Sequence, residues 1–237
     1  MFRSIFRVTS IIPTSQVWKN DMRSLNTRRL RRTLRRCLRL PMGKPPYFHV
    51  AQIGDPVLRS PSLPVNPEVI PMMQFQAVIY QMKEVMKLYH SVGLSAAQIG
   101  LPWRVFMMQV TQKHLQQIDE TTRNIRGMEL VPFQIFINPI MKTIDHKMIS
   151  FPETCDSIRA YNAVVPRAKA VEVKALNDKG EEVTVSFKHW TARIVQHEMD
   201  HINGILYTDK MDRRTFTCTC WEEINKYEGN IEIRFDS

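Results

Sequence analysis

Across residues 67–90, Ile70, Met73, Phe75, Ile79, Met82, Val85, Met86 and Tyr89 recur mostly three or four positions apart. That spacing predicts a long helix with one apolar face, and its methionine-rich stripe reads as core packing. Alternating or apolar runs predict short strands at 48–53, 104–110, 133–138, 170–176 and 182–187, with a last edge strand at 231–235. Asn177-Asp178-Lys179-Gly180 joins two of these as a hairpin turn. Residues 54–59 read as a turn that docks an apolar pair. The polar stretch 111–127 reads as a surface excursion or an edge helix. A second helix is predicted over 191–203, with Ile194, Val195 and Ile202 to bury and Gly204 as its stop. Strands outnumber helices, which argues for an α+β fold.

Charge divides the 237-residue chain unevenly. Residues 1–44 carry twelve of the 33 Lys and Arg but only one of the 23 acids, Asp21; this leaves 21 basic against 22 acidic residues in the remainder. The net charge of +10 therefore belongs to the leader. An amphipathic, Arg-rich, acid-poor start resembles a mitochondrial transit peptide and places the protein in the matrix; a nucleic-acid or ribosome-binding arm is the competing reading. Pro41, Pro45 and Pro46 mark a linker. The expected organisation is thus a leader and linker over 1–45, and a folded domain with a C-terminal tail over 46–237. The neutral domain argues against DNA as a partner, and no apolar run is long enough for a membrane span. Four cysteines, Cys37, Cys155, Cys218 and Cys220, are too few for a secreted disulfide framework and suggest a reducing compartment.

The second helix carries His197-Glu198-Met199-Asp200-His201. Residues four apart share a helix face, so His197 and His201 can meet one metal ion, with Glu198 placed as a base toward a bound water. A catalytic site of this kind needs a third protein ligand. A downstream carboxylate, Glu222 or Glu223, would indicate a metallopeptidase. The longer pattern that ends in a third histidine fails, because Tyr207 stands at that place. Cys155, upstream in a loop after a strand, is a further candidate. The glycine-bearing loop 91–100 lets a ligand approach its backbone and offers Gln98 as donor and acceptor.

Three stretches resemble, in order, the motifs of peptide deformylases. Gly93-Leu94-Ser95-Ala96-Ala97-Gln98-Ile99-Gly100 resembles G-x-G-x-A-A-x-Q, Glu153-Thr154-Cys155-Asp156-Ser157 resembles E-G-C-x-S, and Gln196-His197-Glu198-Met199-Asp200-His201 resembles Q-H-E-x-D-H. The resemblance implies antiparallel sheets packed around a central metal-binding helix. It implies one divalent metal on Cys155, His197 and His201, with Fe2+ favoured and Zn2+ or Co2+ as substitutes. The substrate it implies is the N-formylmethionyl end of nascent chains, met in transient association with the ribosome. Glu198 would be the general base. Gln98 and a backbone N–H near Asp156 would stabilise the oxyanion, and Val92, Gly93 and Leu94 would bind the peptide. Ser91 and Thr154 depart from the pattern, and Ala97 stands where bacterial members of the family often have proline. Thr154 stands for glycine beside Cys155, where its branching and bulk are expected to lower activity. A weakened or binding-only paralogue and an H-E-x-x-H metallopeptidase are the alternatives.

Overall fold

The computed structural model describes residues 43–235. The transit-peptide reading falls almost wholly on residues outside that range. Six antiparallel strands form one sheet, in the order β1 (Gly93–Ser95), β2 (Val105–Val110), β3 (Val131–Thr154), β4 (Tyr161–Leu176) and β5 (Glu182–Lys188), with β6 (Thr217–Cys218) paired to the start of β4. Among the described residues five helices accompany it: α1 (Met73–Tyr89), α2 (Gln112–Gln116), α3 (Glu120–Arg126), α4 (His189–Ile202) and α5 (Trp221–Lys226). The α+β expectation holds.

Helix α1 follows a 3-10 turn at Pro67–Val69, so the single helix expected from residue 67 is two pieces. Its apolar stripe buries Phe75, Val78, Ile79, Met82, Val85 and Met86 against Leu94, Val105, Met107 and Ile137. Gln81 interrupts that stripe and is also fully buried; its amide donates to the carbonyls of Pro46 and Tyr47 at 2.9 Å each. The segment there is not the strand expected at 48–53. It runs beside loop 96–99 instead, with Tyr47 N–H bonded to the Ile99 carbonyl and Ala51 N–H to the Gln98 carbonyl, both at 2.8 Å. The expected turn at 54–59 is a 3-10 turn, Pro56–Arg59, with Leu58 buried.

Strand β3 is longer than its two apolar stretches suggest. It runs 24 residues, bending at register shifts between Ile137 and Ile140, Thr143 and Asp145, and Asp145 and Met148. These irregularities break the two-residue alternation, so the sequence reads as separate strands. The bend carries the end of β3, Ser150 to Thr154, opposite the start of β4, Asn162 to Pro166. The turn at residues 177–180 forms as expected between β4 and β5. The tail differs: no strand forms over 231–235. Ile231 is buried, and the Tyr89 hydroxyl donates to the Phe235 carbonyl.

Helix α4 crosses the sheet and packs against β1, β2, β4 and β5. Ala192, Val195, Met199 and Ile202 bury into a core with Phe106, Phe136, Val171 and Phe187. Thr191, Arg193, Gln196, Glu198, Asp200 and His201 are buried too, which marks a helix enclosed over most of its surface. It ends as the sequence suggests. Gly204 adopts φ +73°, its N–H bonds to the His201 carbonyl at 3.1 Å, and Ile205 N–H bonds to the Asp200 carbonyl at 2.9 Å. This paired C-terminal motif satisfies carbonyls the helix cannot.

Candidate metal centre

Cys155 follows directly on β3 and faces α4. Its Sγ lies 3.2 Å from His201 Nε2, and the ligand-type atoms of Cys155, His197 and His201 all lie within 4.8 Å of one another. This is the one group of three or more metal-ligating side chains among the described residues. Glu222 and Glu223 do not join it; both are exposed on α5. Tyr207 is buried with its ring stacked 6.4 Å from His197, and its hydroxyl donates to the Tyr161 carbonyl. It supports one imidazole rather than supplying a ligand.

One thiol and two imidazoles suit several divalent transition metals. His197 Nδ1 is held 3.1 Å from Glu153 Oε2, which leaves its Nε2 for a metal. Glu153 is itself buried. Its Oε1 accepts from Arg167 Nε at 2.9 Å and Arg193 Nη1 at 2.6 Å, and its Oε2 accepts from Arg167 Nη2 at 2.8 Å. Burial alone would raise its pKa; the hydrogen bonds from Arg167 and His197 outweigh that and hold the carboxyl well below the usual range. Arg167 also reaches Asp200 at 2.5 Å, and Lys210 closes the chain on the other Asp200 oxygen. Asp200 is therefore a structural support rather than a surface acid. Gln196 fastens α4 to β4 by accepting from Ala168 N–H at 2.9 Å and donating to its carbonyl at 2.8 Å.

Glu198 is buried with Oε2 lacking a hydrogen-bond partner among the described residues, and burial pushes its carboxyl up to about 7. Gln98 does two things at once. Its carbonyl oxygen accepts from Ser95 N–H at 2.9 Å and closes the loop, while its amide faces Ser157 Oγ at 3.3 Å and Cys155 Sγ at 3.8 Å. Both Gln98 and Glu198 line a cleft of about 410 Å³ together with Cys155 and His197. Val92, Ile118, Met128, Trp190 and Ile194 make part of its wall apolar.

The peptide-side candidates separate. Val92, just before β1, and Gly93, the first residue of that edge strand, line the cleft. Leu94 does not: its side chain is fully buried in the core beneath α1. Asp156 lines the cleft and accepts from Ser91 Oγ at 2.5 Å. Ser91, a departure from the family pattern, thereby ties the β1 side of the cleft to the Cys155 loop. Thr154 ends β3 in extended backbone opposite Asn162, with its side chain exposed at the cleft. β-Branched residues suit strands, so the backbone part of the Thr154 expectation fails and only the side chain's bulk remains. Arg167 and Arg193 belong to none of the three motifs. A visible sign was an arginine set within otherwise apolar neighbours, Val165 to Ala168 and Ala192 to Val195.

The polypeptide deformylase family model matches residues 47–216. The chain belongs to the peptide deformylase family. Human mitochondrial peptide deformylase is 40% identical over 199 residues, covering 83% of this chain and 82% of that protein. The peptide deformylase of Thermotoga maritima has a similar structure, with TM-score 0.59, 30% identity, and coverage of 70% of this chain and 98% of that one. The Acinetobacter baumannii deformylase in its Met-Ala-Ser-bound crystal structure has TM-score 0.61 and 27% identity, covering 68% and 96%. The metallopeptidase alternative falls with this assignment. The chain is a peptide deformylase, of a metal-dependent family, and its ligand-type triad is suited to hold a metal.

A Cβ added at Gly93 of this deformylase would lie 2.5 Å from Glu198 Oε1. Gly93→Ala must therefore displace the Glu198 carboxylate. Deformylation should fall on the order of 10²-fold, the cost of about 1 Å of misplacement within a site. The circular dichroism spectrum should be unchanged; steady-state kinetics on a formyl-methionyl peptide provides the check.

Proposed function

We propose that this deformylase acts in the mitochondrial matrix, removing the formyl group from the initiator methionine of nascent chains during transient contact with the ribosome. The observation that carries the reading is the convergence of Glu198, Gln98 and the Cys155–His197–His201 triad on one cleft beside an edge strand. The basic leader and the similarity to the human mitochondrial enzyme support the compartment.

Glu198 takes a proton from the attacking water and returns it to the departing nitrogen. The formyl C–N bond breaks, water supplies the new oxygen, and the products are formate and a free methionine amine. A carboxyl group raised toward neutral by burial is suited to both transfers. The Gln98 amide and the backbone N–H of Asp156 donate to the carbonyl oxygen as charge develops there; one such donor contributes about 3–4 kcal/mol of barrier lowering. Bound at Cys155, His197 and His201, a divalent metal, with Fe2+ preferred and Zn2+ or Co2+ as substitutes, would supply Lewis acidity. The edge of β1, unpaired among the described residues, offers backbone groups at Gly93 and the preceding Val92 to an extended peptide, and the apolar wall accepts the methionine side chain. Met-Ala-Ser in the Acinetobacter enzyme is a peptide of the kind this cleft would release.

The full chain, loaded anaerobically with Fe2+, should release formate from a formyl-Met peptide. A chelator should abolish release, and Glu198→Gln should lower it about 10²–10⁴-fold. Release that persists with chelator, or is unchanged in the variant, contradicts the mechanism. A metal-loaded protein that releases none would instead be a weakened paralogue. Thr154→Gly should raise kcat/KM by opening the cleft beside Cys155; an unchanged value shows that the threonine does not limit the reaction.

A further inference from the structure

Two cysteines outside the candidate metal centre stand beside the same cleft. Cys218 is in β6 and Cys220 begins the turn into α5; their sulfurs are 3.4 Å apart. Cys220 is buried and Cys218 half-buried. Thr219, the residue between them, lines the cleft, and its N–H bonds to the Ala160 carbonyl at 2.8 Å. Cys218 pairs with Tyr161, whose ring stacks on Phe216 at 5.0 Å. Ala160 and Tyr161 line the cleft as well.

We propose that Cys218 and Cys220 are a redox-modification site: a thiol pair that closes to a disulfide and thereby reshapes the cleft wall at Thr219, Ala160 and Tyr161. A disulfide needs the sulfurs at about 2.05 Å, so closure draws the two cysteines together across Thr219. Because Thr219 is bonded to Ala160 and β6 is paired to Tyr161, that movement passes into the wall. Among the described residues no third ligand-type side chain completes a metal site with these two, which favours disulfide chemistry over metal binding. The co-reactant is a low-molecular-weight disulfide. The Cys218 thiolate, the more accessible sulfur, attacks it and expels one thiolate. Cys220 then gives up its proton and attacks the Cys218 sulfur, expelling the second. The pair is oxidised by two electrons, and the small disulfide is reduced to two thiols. Burial pushes the Cys220 thiol up to about 11, in keeping with its place as the second, resolving group.

The effect on peptide binding rests on the deformylase function proposed above; the disulfide itself does not. The metal-loaded full chain is equilibrated in mixtures of reduced and oxidised glutathione, quenched in acid, alkylated and digested with trypsin. The peptide spanning residues 215–226 contains both cysteines. It should pass reversibly from a doubly alkylated form to an unalkylated form lighter by two hydrogen atoms than the dithiol. In parallel, KM for a formyl-Met peptide should rise several-fold with little change in kcat, and reductant should reverse it. Cys218→Ser, which keeps Cys155, should lose that response; Cys220→Ser provides a second variant that cannot close the bond. Double alkylation in every mixture overturns the proposal. So does a disulfide that leaves KM unchanged, or a KM response that survives in Cys218→Ser.

Discussion

A buried carboxylate at the end of a bent strand holds the candidate metal centre together. Glu153 meets Arg167 from β4 and Arg193 and His197 from α4, so three elements are fastened at one side chain. Cys155 follows two residues later. Asp200 repeats the device one turn along the helix, between Arg167 and Lys210. Removing one member of such a buried ionic group typically costs about 3–5 kcal/mol, because the partners are left charged and unsolvated. The cluster thus makes the relative position of β3, β4 and α4 costly to change, and that position decides where one sulfur and two imidazoles meet.

The rest of the architecture serves the same placement. Helix α4 packs against the sheet, so His201 and Glu198 are held buried at the cleft. The bend in β3 delivers Glu153 and Cys155 to the helix, and Gln196 fixes the helix against Ala168. On the opposite side, β1 leaves an edge open to the cleft while Gly93 gives Glu198 the room that a side chain would remove. Fold and chemistry are coupled at individual atoms: Gln98 closes its own loop with the oxygen and faces Cys155 with the nitrogen.

Local patterns made much of this legible. The histidine pair on a four-residue spacing, the Gly204 stop, the hairpin turn at 177–180 and the stripe of α1 each follow from contacts within a few residues. What stayed hidden depends on distant partners. Bulges obscured the continuity of β3, since each register shift reverses which face the next side chain takes. The extended segment 47–53 satisfies its backbone on a loop, not a strand, and short-range alternation cannot separate the two. Arg167 and Arg193 show in the sequence only as charges among apolar neighbours; their role needs Glu153, which β3 brings to both, and Asp200, which α4 brings to Arg167. Leu94 sits in a motif beside the cleft yet points into the core, and the tail traded its expected strand for contact through Tyr89.

Metal affinity of Glu153→Gln is the most direct measurement. The substitution keeps shape and removes the charge that orients His197 and balances two arginines. Competition with a chromophoric chelator should show Co2+ or Zn2+ bound about 10–100-fold more weakly than by the unaltered chain, in a protein whose circular dichroism remains native. Unchanged affinity in the folded variant would contradict the claim that this buried carboxylate positions the centre.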